Sequence, residues 1–355
     1  MQSHDNSIGC AVKGPSHPGG EKPKRFLWMV LVSLGLVVPA MTGWAALAIF
    51  YSNLPSAILR TALAVLFPLL TVFSFLYFSN RRRTLAGFIS VFFVIVAWWT
   101  SIPASHSRDW EQDVAVLPYA EIQDNLVTVY NIRNFHYRTE TDFDARYYDR
   151  TYNLHKLDSV DLIAVYWMGD AIAHIMITFG FEQQDFLTFS IEIRKEKGET
   201  YSSIKGFFKQ YELIYVAGDE RDLIRVRTDY RSPQEDVYIF RVGVSPDTAR
   251  KLFLEYVRQI NKMKTTPVWY NTLTTNCTTN IVMHIRAFSD GVRYNWKIFL
   301  SGYTPLYAYE LGILDTSLPF PTLKKLSYVN HRAHEIGNDP VFSLKIRDGL
   351  PRPAQ

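Results

Sequence analysis

The chain has 355 residues, 48% of them hydrophobic and 20% charged, with a formal net charge of +4. The charge is unevenly placed: residues 1–25 carry +2, residues 26–102 carry +4 with no acid, and residues 103–355 carry −2. A basic excess that sits in and beside apolar segments excludes nucleic acid as the partner a basic balance would otherwise suggest.

Residues 1–25, rich in Gly, Pro, Ser and Lys, read as a disordered cytoplasmic tail. Residues 26–102 read as a three-span transmembrane region, with spans over 26–51, 61–79 and 84–102. Each approaches the roughly 20 apolar residues that a bilayer core requires. A cleaved signal peptide fits the first span poorly: its apolar run is too long, no small-residue cleavage site follows, and two more spans do. Lys22, Lys24 and Arg25 precede the first span, and Arg81, Arg82 and Arg83 separate the second from the third. Both basic clusters belong on the cytoplasmic side. The expected topology is therefore a multi-pass protein of the bacterial inner membrane, N-terminus inside, with residues 103–355 periplasmic. Arg60, near the outer end of the second span, is expected to snorkel toward the headgroups.

Cysteine is scarce. Cys10 lies in the tail with no apolar run before it, so it is not a lipoprotein acceptor, and Cys277 is alone in the exported part. A single thiol in an oxidising compartment asks for a reason, although a buried, inert cysteine is the ordinary state of a free one.

After a short linker, the exported domain has about 250 residues, enough for one substantial core. Segments 126–132, 161–167, 171–179, 186–194 and 237–242 are rich in Val, Ile, Thr, Phe and Tyr and predict strands. Helices are predicted over 202–210, over 245–262, and after Asn276. The second opens Ser-Pro-Asp, a capping serine with proline at the first helical position. Leu252, Phe253, Tyr256, Val257 and Ile260 form its buried stripe. From Gly291 onward the chain reads as irregular, with several prolines. No internal repeat is visible, and the order of elements predicts an α+β fold.

The chemistry concentrates around Cys277. It opens an amphipathic helix, capped by Asn276 or Thr275, where unpaired N–H groups and the helix dipole favour a thiolate. The same N–H groups can hold an acyl oxyanion. Asn276 and Thr278 thus flank the thiol on the oxyanion side, and Tyr270 with Trp269 walls the cleft, although core packing explains that aromatic pair equally well. Asn276-Cys277-Thr278 also fits a glycosylation sequon, which we read as a chance match. A thiol nucleophile needs a base. Of the seven histidines after residue 102, His174 stands out as the one ionisable side chain in an apolar strand; the competing reading is a satisfied core histidine. His331 and His334 have no accompanying ligand at a recognised spacing, so no metal site is expected. On segment 186–194, Ser190 and Glu192 share a face. Glu192 is the candidate to orient the imidazole, with an ion pair to Arg194 or another basic group as the alternative. The dense charge of Asp219-Glu220-Arg221-Asp222 reads as a structural salt-bridge network.

Several ordered blocks carry a resemblance. Trp110, Leu117-Pro118, Asn131-Ile132-Arg133-Asn134-Phe135, Arg146-Tyr147-Tyr148-Asp149, His174 with Phe179-Gly180-Phe181, Ser190-Ile191-Glu192-Ile193-Arg194, Gly218-Asp219-Glu220-Arg221-Asp222, and Trp269-Tyr270-Asn271 before Asn276-Cys277-Thr278-Thr279 look like the Lnb N-terminal periplasmic domain family over about residues 108–290. The resemblance implies a papain-like domain of the permuted NlpC/P60 kind, in which a strand histidine precedes the nucleophilic cysteine, as His174 precedes Cys277. It further implies lipoprotein N-acyl transfer, with a phospholipid acyl donor, a lipoprotein acceptor, a membrane setting and no cofactor. Three spans ahead of the domain depart from the family's named member. That leaves a peptidoglycan thiol amidase or peptidase, or a non-catalytic binding domain, as alternative readings.

Overall fold

The computed structural model describes residues 22–289 and 291–353, with side chains from Gly35 onward. Cys10 and the expected tail up to Glu21 lie outside the described residues. The chain divides into two units, Met1–Ile102 and Pro103–Gln355.

The first unit contains three helices, α1 (Lys22–Phe50), α2 (Ala57–Tyr77) and α3 (Arg81–Ser101). Ser56 caps α2 by accepting from the Leu59 N–H, and Asn80 caps α3 by accepting from the Arg83 N–H. Among the described residues, two helices, α2 and α3, are long and apolar enough to cross a bilayer. Two of the three expected spans are thus supported; of α1, the stretch with described side chains, Gly35–Phe50, is apolar but shorter than a span. No residue of α2 is buried, and its Ile58, Leu69 and Leu76 are 83%, 61% and 77% exposed. A helix this apolar with no buried face suits a lipid surround. Arg60, expected to reach for headgroups, donates to the Ser52 carbonyl at 3.0 Å and so ties the α1–α2 turn.

The second unit is built on one large sheet. In chain order its strands are β1 (Tyr119–Gln123), β2 (Leu126–Arg133), β3 (His136–Tyr137), β4 (Phe143–Asp144), β5 (Tyr147–Asn153), β6 (Leu157–Tyr166), β7 (Ala173–Phe181), β8 (Asp185–Arg194), β9 (Glu212–Gly218) and β10 (Asp236–Val242). Eight of them pair in the order β1-β2-β9-β8-β7-β6-β10, with β5 beside β2, while β3 and β4 form a separate hairpin. All pairs are antiparallel except β2 with β9. The helices of this unit are α4 (Glu220–Leu223), α5 (Pro246–Thr265), α6 (Cys277–Arg286), α7 (Trp296–Phe299), α8 (Thr304–Glu310), α9 (Phe320–Leu326), α10 (Asn330–Ile336) and α11 (Phe342–Lys345). A single π-helical turn, Val226–Tyr230, follows α4.

Helices cover both faces of the central strands, so these strands are buried on both sides. On one face α5 and α6 pack Phe253, Tyr256 and Ile281 against Ile175, Phe179 and Phe189. On the other, α4, α10 and α11 close over Ile163, Met176, Ile214 and Ile239 with Leu223, Ala333 and Phe342. The α+β reading holds, and the five predicted strands are present at their places. Ser245 caps α5 and Pro246 is its first residue, with the predicted stripe buried.

Three expectations need correction. The predicted helix over 202–210 is only a short 3-10 turn, Lys205–Phe207. It is ended by Lys209 at φ 54°, and Gly206 sits so close to the next loop that a Cβ would lie 2.2 Å from Thr272 Oγ1. Strand β9 was not anticipated, because a short, wholly buried apolar run has no alternation to announce it. The region after Gly291 is not irregular but folds into α7–α11, each of four to seven residues. Helices of one or two turns show no 3.6-residue pattern, and their stability comes from packing.

The charge block at residues 219–222 is the salt-bridge network expected of it. Asp222 is fully buried and accepts from Arg133 Nε at 3.0 Å, Arg133 Nη2 at 2.8 Å, the Phe135 N–H at 2.8 Å and the Tyr137 hydroxyl at 3.1 Å. Glu220 receives Arg347 through both oxygens at 2.7 Å, and Arg347 also reaches Asp161 at 2.8 Å. Removing one partner of such a pair strands the other charge. Asp222→Ala is expected to lower unfolding free energy by about 3–5 kcal/mol, whereas Asp142→Ala, at an exposed and solvent-screened pair, should cost far less. Denaturant titration of the purified protein measures both.

Candidate active site

Helix α6 begins where it does because Asn276 and Thr279 form a reciprocal capping box. Asn276 Oδ1 accepts from the Thr279 N–H at 2.9 Å, Thr279 Oγ1 accepts from the Asn276 N–H at 2.9 Å, and Asn276 Nδ2 donates to the Thr272 carbonyl at 2.8 Å. Cys277 is thereby fixed as the first helical residue, half-buried, with a free thiol. Among the described residues, the N–H groups of Cys277 and Thr278 make no hydrogen bond. They remain available to an oxyanion beside the thiol. The Asn276 side chain, expected on the oxyanion side, is instead engaged in the cap.

The sheet opens at this point. Strand β7 stays paired to β6 as far as Ala173, and β8 stays paired to β9 as far as Arg194. The ladder between β7 and β8 nevertheless stops at Met176 opposite Ser190. Above that pair Ile175 has no partner on β8, and its backbone N–H favours the Cys277 thiolate. Side chains alternate across a strand, so Ile175 faces α6 while His174, Ser190 and Glu192 face the opposite side. The parted strands let a thiol carried by one face meet an imidazole carried by the other, and each favours the charged form of its neighbour.

Behind the imidazole stands a chain of polar groups. His174 Nε2 is 2.6 Å from Ser190 Oγ and 3.2 Å from Glu192 Oε1. Ser190 Oγ donates to Glu192 Oε1 at 2.6 Å, and Arg227 Nη2 donates to the same oxygen at 2.8 Å. Glu192 therefore lies within reach of the imidazole and is ion-paired as well, with Arg227 as the basic partner. Arg194 turns away, donating to the Val114 and Ala115 carbonyls and lying over the Trp110 ring. Arg227 comes from the π-helical turn and was invisible in the sequence, where nothing distinguishes it from neighbouring Arg225 and Arg231.

These contacts set the ionisation. Burial resists the thiolate of Cys277, but the bond and charge of His174, the Ile175 N–H and the Thr278 hydroxyl outweigh it and hold the thiol below its usual range. Burial likewise resists the imidazolium of His174, yet the Glu192 carboxylate and Cys277 push it up to about 9. Glu192 is also desolvated, and His174, Arg227 and Ser190 keep it well below the ordinary carboxylate value. The favoured state is a thiolate–imidazolium pair.

Thr278 is buried, with its Oγ1 3.7 Å from the sulfur. Tyr270 is half-buried beside Cys277; burial and the neighbouring thiolate push its hydroxyl upward. The core-histidine reading fits His284, buried on α6, held below its usual range at about 4 and 2.8 Å from the Tyr215 hydroxyl. His334 lies 3.6 Å from Asp229, remote in sequence from these residues.

Residues 143–307 match the family model of the Lnb N-terminal periplasmic domain. The resemblance read from the sequence stands over that segment, which runs from β4 into α8 and includes His174, Ser190, Glu192, Arg227, Tyr270 and Cys277. No curated protein and no solved structure matches the chain.

The pair makes a prediction about the thiol. Its reactive form exists above the lowered thiol pKa and below the His174 value of about 9. Alkylation of Cys277 by iodoacetamide should already be substantial at pH 7, and His174→Ala should move the acid limb toward the ordinary thiol value near about 8.5. Mass spectrometry of the labelled peptide across pH 5 to 10 reads the limb.

Proposed function

We propose that the protein is a membrane-anchored thiol acyltransferase that moves an acyl chain from a phospholipid to the N-terminal cysteine amine of a lipoprotein. The observation that carries the proposal is a half-buried cysteine at a helix N-terminus, electrostatically coupled to a histidine backed by a carboxylate. A thiol helix facing a strand histidine that precedes it in sequence is read as the papain-like arrangement of the permuted NlpC/P60 kind. Residues 103–355 are assigned to the periplasm and the helices to the inner membrane, with the N-terminus cytoplasmic.

In the first half-reaction the Cys277 thiolate attacks an ester carbonyl of the phospholipid. The tetrahedral oxyanion is held by the Cys277 and Thr278 N–H groups and by the Tyr270 hydroxyl. Collapse breaks the ester bond, the imidazolium of His174 gives its proton to the departing alkoxide, and a lysophospholipid leaves a thioester on Cys277. In the second, the lipoprotein amine attacks the thioester and surrenders a proton to His174. The amide forms, and the thiolate–imidazolium pair returns. Transfer is favoured over hydrolysis of wall peptides because the domain follows directly on two helices apolar enough for a bilayer, where donor and acceptor reside.

Mass spectrometry of a reporter lipoprotein, in cells lacking their usual N-acyltransferase, tests the reaction. Expression of this protein should add an N-acyl chain, Cys277→Ala and His174→Ala should abolish it, and Glu192→Gln should weaken it less. Unchanged lipoproteins beside altered muropeptides would move the assignment to a thiol amidase. A Cys277→Ala protein that complements fully would leave a binding domain. Topology is tested separately: reporter fusions after Ser79 and after Ser105 should report opposite sides of the membrane.

A further inference from the structure

Glu192 is the carboxylate nearest His174, yet the closest polar atom to the imidazole belongs to another residue. Ser190 Oγ lies 2.6 Å from Nε2, against 3.2 Å for Glu192 Oε1. A hydroxyl has one hydrogen, and that of Ser190 is directed to Glu192 at 2.6 Å. Toward His174 it can therefore only accept, so Nε2 carries a hydrogen and Nδ1 is the nitrogen left for the thiol. The far end of the chain is anchored by Arg227, 2% exposed, whose Nη2 donates to the same Glu192 oxygen and whose Nη1 donates to the Leu223 carbonyl at 2.6 Å. The hydrogen bonds converge on the carboxylate: Arg227 donates to it from one side, and from the other His174 donates to Ser190, which donates to Glu192.

We propose that Ser190 and Arg227 are positioning residues of the thiol site. Arg227 holds the Glu192 carboxylate in place, and Ser190 passes its pull to Nε2 of His174, fixing Nδ1 toward Cys277. The inference rests on the reading of Cys277 and His174 as nucleophile and base, and it adds the residues that keep that pair aimed. Neither residue touches the thiol. Either change acts through His174, and neither should alter which substrate binds.

The charged and titratable neighbours of this chain are few. His174 faces Glu192 and Cys277, and Cys277 faces Tyr270 and Tyr256 in addition. Arg227 lies among Glu192, Glu235, Arg231, Arg133 and Tyr137. With Ser190 removed, the carboxylate still reaches Nε2, but at the longer distance and without the intervening hydrogen bond. With Arg227 neutralised, Glu192 loses its directly bonded guanidinium and keeps only His174 and the more distant charge of Arg231.

The test uses the full-length chain in detergent with Cys10→Ser, so that Cys277 is the sole thiol, and iodoacetamide as the probe. Ser190→Ala and Arg227→Gln should each shift the midpoint of the alkylation pH profile upward, lowering the rate at neutral pH by roughly three- to tenfold. Ser190→Thr, which keeps the hydroxyl, and Arg227→Lys, which keeps the charge, should recover part of the loss. In the acyl-transfer assay the same variants should lower kcat with KM little changed. Arg227 is buried, and its variant could fail to fold; Ser190→Ala removes one oxygen and serves as the deciding case, with a thermal melt beside it. A Ser190→Ala protein that melts like the parent and keeps the parental midpoint overturns the proposal. A shifted midpoint in a protein that transfers no acyl chain upholds the positioning chain and rejects the reaction assigned to it.

Discussion

The site depends on a β ladder that ends early. Strands β7 and β8 part above Met176 and Ser190 although each remains paired on its outer side. A closed sheet would keep the Ile175 N–H in the ladder and put a wall of backbone between α6 and His174. Parting the strands leaves that N–H to favour the thiolate and opens a way between the faces. One face then supplies the thiol and the helix dipole, the other the imidazole and its carboxylate. The capping box of Asn276 and Thr279 has the complementary task of stopping α6 with Cys277 as its first residue, at the level of the opening.

Much of this was legible in the sequence, and the boundary follows the physics of each signal. Cys277 could be placed because a cap followed by an amphipathic period identifies a helix start. His174 could be singled out because an ionisable group in an apolar strand needs a partner, and Ser190 and Glu192 because strand alternation puts them on one face. Arg227 left no trace, since a π-helical turn has no local pattern and its partner lies 35 positions earlier, a pairing made only by the fold. The opening between β7 and β8 was equally silent: both strands read as uninterrupted, and where a ladder stops is decided by what enters the gap. Strand β9 and the short helices after Gly291 were missed for want of periodicity, and all gain their structure from burial.

The back of the sheet explains why so many charges can be buried nearby without disorder. Asp161, Glu220 and Asp222 are 1% exposed or less, and each is met by arginine from a different segment: Arg241 and Arg347, Arg347 alone, and Arg133. Arg347 comes from the C-terminal stretch beyond the family match, so the last turns of the chain are pinned to the sheet by charge as well as by Phe342 and Ile346. Such pairs contribute little net stability compared with apolar packing of the same volume, but they penalise any register in which one partner is missing. They act here as a specification of which segment lies where, including the turn that carries Arg227.

Saturation is what separates these networks from the thiol site. Asp222 has four donors around it, and both oxygens of Glu220 are taken. The chain from Arg227 to His174 is just as closely bonded up to Nε2, with every link at 3.2 Å or less. Beyond the imidazole the pattern changes. The next group is a half-buried thiol, held as thiolate against the cost of its burial, and the two backbone N–H groups beside it have no acceptor. A network serving stability alone would end in a satisfied group, as His284 does against Tyr215. This one ends in a half-buried thiol beside open backbone donors, and that asymmetry is what the proposed chemistry rests on.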